Sequence, residues 1–194
     1  MSHNPAHQDM NRFYETAIIA GFGGQGVMII GNLLAYAGMR EGRYVSYLPI
    51  YGVEMRGGTA DCTVVISSQP IGSPVVQKAH SVIALNQPSL TKYERRMEAQ
   101  GLLLINASLI DPKEVSRTDI QLLPVPVNDL ARENGNPKLA NMVALGAFIE
   151  TTRWVQMASL FGSLEKVLDQ RYHHLIPPNI RALQKGAEFV QSLR

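Results

Sequence analysis

The first block of apolar positions, residues 16–20, is short and β-prone and stops at a glycine-rich turn. From Gln25 to residue 39 the apolar residues Val27, Ile30, Leu33, Leu34 and Ala37 recur at intervals of three and four, the period of one helix face. Strand, turn and helix in that order predict the opening of a βαβ unit. Residues 44–48 predict a second strand. A third is expected over 60–67, with Val64, Val65 and Ile66 at its centre and Gln69-Pro70 closing it. The apolar runs 80–85, 102–105 and 120–125 predict three further strands, and residues 87–100 a helix with Pro88 in its first turn. The last third changes period. Residues 129–134, 138–152, 163–170 and 178–193 predict helices, and Pro137 and Pro177-Pro178 stand where prolines open them.

Strands early and helices late predict a single α/β domain over residues 15–194, preceded by a flexible tail over 1–14. The expected architecture is a three-layer Rossmann-like domain with a parallel or mixed sheet and a C-terminal helical cover. Several strands follow one another without a helix between them, which favours the mixed sheet.

Composition narrows the function classes. With 45 % hydrophobic and 18 % charged residues the chain is an ordered globular protein, and a net charge of +2 without like-charge runs gives no footprint for nucleic acid or a membrane surface. Its single cysteine, Cys62, excludes an intrachain disulfide and an iron–sulfur cluster held by this chain alone. The polar start, without an apolar signal core, and the lone thiol predict a soluble protein of the reducing cytoplasm. Five scattered histidines lack metal-ligand spacing. His3 and His7 fall in the tail, His173 and His174 in a late loop, and His80 at a strand start with a structural role expected.

Two segments carry candidate chemistry. Gly21-Phe22-Gly23-Gly24-Gln25-Gly26 fits G-x-G-x-x-G between a strand and a helix, where backbone N–H groups can meet a phosphate. Phosphate contact through Gly21, Gly23, Gly24, Gln25 and Gly26 stands beside the simpler reading that the glycines permit close packing. NAD is disfavoured, because the second strand ends in Tyr47-Leu48-Pro49 with no acid for a ribose. The other segment is Tyr51-Gly52-Val53-Glu54-Met55-Arg56-Gly57-Gly58, an acid, a guanidinium and three glycines in one connection. Arg56 can grip a carboxylate or phosphate through paired hydrogen bonds, Glu54 can orient it, and Gly52, Gly57 and Gly58 let a partner come close. Asn86-Gln87 follows the 80–85 run at the edge where open sheets bind ligands. Ser73 and Ser89 are expected in turns and caps. Trp154, Met157, Leu160 and Phe161 are expected to face the core rather than a partner.

These motifs, in order with Ser73-Pro74-Val75-Val76, resemble the gamma subunit of 2-oxoacid:ferredoxin oxidoreductases acting on pyruvate, 2-oxoglutarate or 2-oxoisovalerate. The resemblance covers about residues 15–190. It implies coenzyme A-dependent oxidative decarboxylation of a 2-oxoacid, with two electrons passed to ferredoxin and no complete activity in this chain alone. It also implies alpha and beta partner subunits, with or without a ferredoxin-like delta subunit, that hold thiamine diphosphate, magnesium and 4Fe–4S clusters. The chain has no Gly-Asp-Gly…Asn-Asn stretch for thiamine diphosphate and magnesium. The wording from Tyr47 to Cys62 favours 2-oxoglutarate. In this picture the glycine turn meets a coenzyme A phosphate. The 51–58 segment, with Asn86 and Gln87, touches the partner or the active-site mouth. A stand-alone nucleotide-binding protein and a purely structural interaction subunit that binds no small molecule are the competing readings.

Overall fold

A computed structural model describes residues 13–51 and 59–194. Strand β1 (Tyr14–Phe22) is followed by helix α1 (Val27–Arg40), then β2 (Tyr44–Tyr51), β3 (Thr59–Ser67) and β4 (Ala79–Ala84). Helix α2 (Gln87–Tyr93), β5 (Met97–Asn106) and β6 (Gln121–Val125) complete the sheet region. Helices α3 (Val127–Glu133), α4 (Ala140–Thr152), α5 (Met157–Val167) and α6 (Ile176–Gln191) close the chain. The sheet has six strands in the order β2-β3-β1-β4-β5-β6. β1, β4, β5 and β6 are mutually parallel, and β3 runs antiparallel to both β1 and β2. The mixed sheet expected from the strand spacing is the one observed.

The two faces are covered unequally. Ala17 and Ile19 of β1, Cys62, Val64 and Ile66 of β3, and Ile83 of β4 point to a large core shared with α1 and the four C-terminal helices. Their neighbours Ile18, Ala20, Val65, Val82 and Ala84 point the other way, to a smaller core closed by Leu90 and Tyr93 of α2 with Val76 and Met97. This alternation is the two-residue period of a strand buried on both faces. α4 is buried all round, from Asn141 to Ile149, as a helix inside a core must be. It crosses α6 at Gly146 and Gly186, where a Cβ would run into the backbone carbonyls of Leu183 and Val143 respectively.

Several boundaries differ from the sequence expectation. β1 begins at Tyr14, and the Phe13 amide is bound by Ser68 Oγ at 3.2 Å, so ordered pairing reaches into the segment expected as tail. The helix expected over 87–100 ends at Tyr93, followed by the short 3₁₀ turn Glu94–Arg96. Leu90, Tyr93 and Met97 keep helical spacing, but Met97 reaches the core as the first residue of β5, opposite Ala79. The helix expected at 163–170 runs over Met157–Val167, and Gln170–Leu175 is a 3₁₀ turn. Trp154 and Leu160 are buried, with Met157 and Phe161 packed against the same core. No helix among the described residues is long and apolar enough to cross a membrane.

Candidate functional site

The carboxyl ends of β1, β4, β5 and β6 form one edge, and the chain leaves β1 and β4 toward opposite sides of the sheet. Such a divergence opens a crevice where α/β proteins bind ligands. The turn from β1 into α1 lies here. Gly24 and Gly26 hold φ values of +96° and +74°, the left-handed region that glycine enters without a side-chain clash. A Cβ on Gly26 would also collide with the Asn141 amide. α1 has no side-chain cap and no acid in its first turn, which leaves its positive N-terminal end unneutralised by its own residues.

Gln25 holds the edge together. Its Oε1 accepts from the Phe22 amide at 2.7 Å and from Asn86 Nδ2 at 2.9 Å, while its Nε2 donates to the Leu85 carbonyl at 3.3 Å. The same carbonyl accepts from Asn106 Nδ2 at 3.2 Å, and that amide also donates to Asn128 Oδ1 at 3.1 Å. A strand-end carbonyl with no further ladder partner is thus satisfied by side chains, as burial demands. Asn86 caps α2 by accepting from the Ser89 amide at 2.9 Å. Gly21, Gln25 and Asn86 are therefore brought together. Gln87 begins α2 beside them, and Gly23 and Gly24 are exposed at the turn.

Two clefts flank the turn. One, about 160 Å³, is lined by Gly24, Gln25, Asn106, Asn128, Lys138 and Asn141 and is rich in amides. The other, about 250 Å³, is more apolar, with Ile29, Leu139, Met142, Leu168 and Tyr172 in its walls; it shares Gly24, Lys138 and Asn141 with the first. Asn141 Nδ2 donates to the Gly26 carbonyl at 3.3 Å, and its buried Oδ1 has no hydrogen-bond partner among the described residues. Nearby, Ser108 Oγ donates to Asp129 at 2.7 Å; that bond, helped by Arg132, holds the Asp129 carboxyl below its ordinary range.

The second motif reaches the same edge. Tyr51 pairs with Ala60, which pairs with Gly21. Gly52, Glu54, Arg56, Gly57 and Gly58 lie outside the described residues, as does the Tyr51 side chain. At the base of this hairpin, Asp61 is buried and bound by Lys92 Nζ at 3.1 Å, tying β3 to α2. Burial, then its hydrogen bond with Asp61, pushes the Tyr93 hydroxyl pKa up.

Sequence reasoning missed Asn106, Asn128, Lys138, Asn141, Asp61 and Lys92. The amides come from distant segments without a periodic mark. Asp61 and Lys92 read as ordinary surface charges until their strand and helix are packed together. An acid at the end of β2 would not serve a ribose at the turn in any case. β3 stands between β2 and β1, so the two ends are two strand spacings apart, about 10 Å.

A family model described as pyruvate ferredoxin/flavodoxin oxidoreductase matches residues 16–189. Ketoisovalerate oxidoreductase subunit VorA of Methanothermobacter thermautotrophicus is 36 % identical over 181 residues, which are 89 % of this chain and 36 % of VorA. The 2-oxoglutarate synthase subunit KorC of Methanocaldococcus jannaschii is 31 % identical over 178 residues, 90 % of this chain and 93 % of KorC. The chain thus spans about a third of VorA and nearly all of KorC. Among solved structures, the gamma subunit of a keto/oxoacid ferredoxin oxidoreductase from Geobacter sulfurreducens superposes with a TM-score of 0.80 at 24 % identity, covering 93 % of this chain and 98 % of its own. The 2-oxoglutarate:ferredoxin oxidoreductase of Magnetococcus marinus, solved with 2-oxoglutarate, coenzyme A and succinyl-CoA bound, gives 0.84 at 22 %, covering 93 % of this chain and 32 % of that one. Both likenesses are to the fold.

Proposed function

This chain belongs to the pyruvate ferredoxin/flavodoxin oxidoreductase family, and we propose that it acts as the gamma subunit of a 2-oxoacid:ferredoxin oxidoreductase, with 2-oxoglutarate as substrate. In that reaction a 2-oxoacid, coenzyme A and two oxidised ferredoxins give an acyl-CoA, carbon dioxide, a proton and two reduced ferredoxins. Thiamine diphosphate with magnesium supplies the carbanion chemistry and iron–sulfur clusters the electron path, both in alpha, beta or delta partner subunits. The sequence supports that division. Its one thiol, Cys62, is buried and pushed up to about 12, mainly by burial, which makes it a poor metal ligand at neutral pH.

The observation that carries a coenzyme A role is the convergence, at one sheet edge, of the uncapped α1 N-terminus, the Gly24–Gly26 turn and Lys138 between two clefts. A phosphate there meets backbone donors, a favourable helix end and a cation. Gln25, Asn86 and Asn106 fix the turn, so its donors are oriented before a ligand arrives. The 52–58 segment, with Arg56 and Glu54, leaves the same edge and is assigned to the partner or the active-site mouth. The preference for 2-oxoglutarate rests on the Tyr47–Cys62 wording and on KorC, which this chain matches almost end to end.

The test is a tagged purification from native cells, followed by 2-oxoacid- and coenzyme A-dependent reduction of a viologen dye. Larger subunits should co-purify, and kcat/KM should be highest for 2-oxoglutarate. A preference for 2-oxoisovalerate or pyruvate would overturn the substrate while leaving the subunit role. A chain that comes down alone and inactive would return the protein to a stand-alone nucleotide-binding role.

A further inference from the structure

Antiparallel residues directly opposite one another share a face of the sheet. Tyr44 stands opposite Ser67, Ser46 opposite Val65, Leu48 opposite Thr63 and Ile50 opposite Asp61. Val65 belongs to the smaller core, so these β2 residues lie on the thinly covered side of the sheet. There α2 and the segment after β3 cover the middle strands, and Asp61, Thr63, Val65 and Ser67 are all buried. One strand further out the cover stops. Tyr44, Leu48 and Ile50 are 50 %, 37 % and 43 % exposed and line up on every second or fourth residue of one strand. The opposite side of β2 is closed, since Val45 and Tyr47 pack into the larger core. Single exposed apolar residues are ordinary, but a row of them along one edge strand is the signature of a contact surface.

We propose that this face of β2 is the docking surface for a larger catalytic subunit of the same oxidoreductase. The occupant is an apolar helix or strand face, with a carboxylate at the end that meets Lys92. Three observations select it. VorA carries the matching unit within a chain nearly three times as long, and KorC, matched almost end to end, is itself named a subunit, so relatives have this unit joined to further protein. Lys92 binds Asp61 directly opposite Ile50 and is still about half exposed, which puts a positive charge at the upper end of the strip. Pro49 sits in mid-strand, as prolines do only on edges with the missing N–H turned outward. That interrupts the row of free donors and disfavours added strands, including β2 of a second copy. Packing on the face is what remains. This docking role rests on the subunit role proposed above.

The test uses the full chain co-expressed with its larger subunits. Tyr44→Asp and Leu48→Asp should lower co-purification by more than about tenfold, since each would bury in the contact a carboxylate out of reach of Lys92. The isolated variants should melt as wild type does. Leu109→Asp and Leu193→Asp, at side chains 52 % and 59 % exposed elsewhere, should assemble normally. Leu48→Cys gives a second readout without a charge. Native Cys62 is buried, so maleimide should label residue 48 rapidly in the free chain and at least about tenfold more slowly in the complex. Wild-type assembly of both aspartate variants, or equal labelling in the two states, would overturn the proposal. So would a homodimer of the isolated chain that these variants dissociate while the complex still forms. Altered coenzyme A use in a fully assembled complex would bear on the glycine-turn reading and not on this surface.

Discussion

Gly26 carries two constraints that its neighbour Gly24 carries only in part. Both residues sit at positive φ, yet a Cβ at Gly24 would point into open space while one at Gly26 would strike Asn141. Gly24→Ala should therefore cost about 1 kcal/mol, the backbone penalty alone. Gly26→Ala should cost about 2–4 kcal/mol, because the Asn141 bond to the Gly26 carbonyl is lost as well. Urea midpoints at constant m-value check the pair, and equal losses would mean that Asn141 yields without cost. The glycine positions were legible in the sequence because a turn of this hand admits few other residues. Asn141 was not, since nothing in the pattern of a helix buried on every side tells which polar residue meets a turn more than a hundred residues earlier.

At the scale of elements, period predicts what buries and not always how. Leu90, Tyr93 and Met97 stand at helical spacing, but the chain opens after Tyr93 and delivers Met97 to the same core as a strand. The late helices were legible because their apolar content is high and prolines stand before α4, at Pro137, and in the first turn of α6, at Pro177-Pro178. Their crossing was not legible, because it depends on two residues with no side chain. Ala is preferred to Gly inside a helix by about 1 kcal/mol. At Gly146 and Gly186 the overlap with a facing carbonyl outweighs that preference, since α4 is packed on all sides and has nowhere to retreat. Gly146→Ala and Gly186→Ala should each lose about 2–3 kcal/mol net. A thermal melt that rises in either variant would show that the helices separate freely.

For the whole molecule, Cys62 reports on integrity. It lies at the centre of β3 against α1, and burial holds its thiol up at about 12, well above an ordinary cysteine. At pH 8 an aromatic disulfide reagent should leave the folded chain unmodified and react fully only in denaturant, at the rate at which the sheet opens. Fast stoichiometric reaction under native conditions would mean that β3 opens on its own. The order of the strands bears on how that sheet comes to exist. The α/β class followed from strands early and helices late, and the mixed alternative from strands without intervening helices, but no local signal said that β3 would enter between β1 and β2.

That insertion has a consequence during synthesis. β1 emerges before every other strand of the sheet, yet its two neighbours are Thr59–Ser67 and Ala79–Ala84. Until the ribosome has released residue 84, a stretch from Ala17 to Ala20, sealed on both sides in the finished protein, has an unclosed flank. Neither α1 nor β2, both made earlier, can close it. The nascent chain therefore carries an aggregation-prone segment from the release of Ala20 to the release of Ala84. Over that interval β1 is a natural client for chaperones at the tunnel exit.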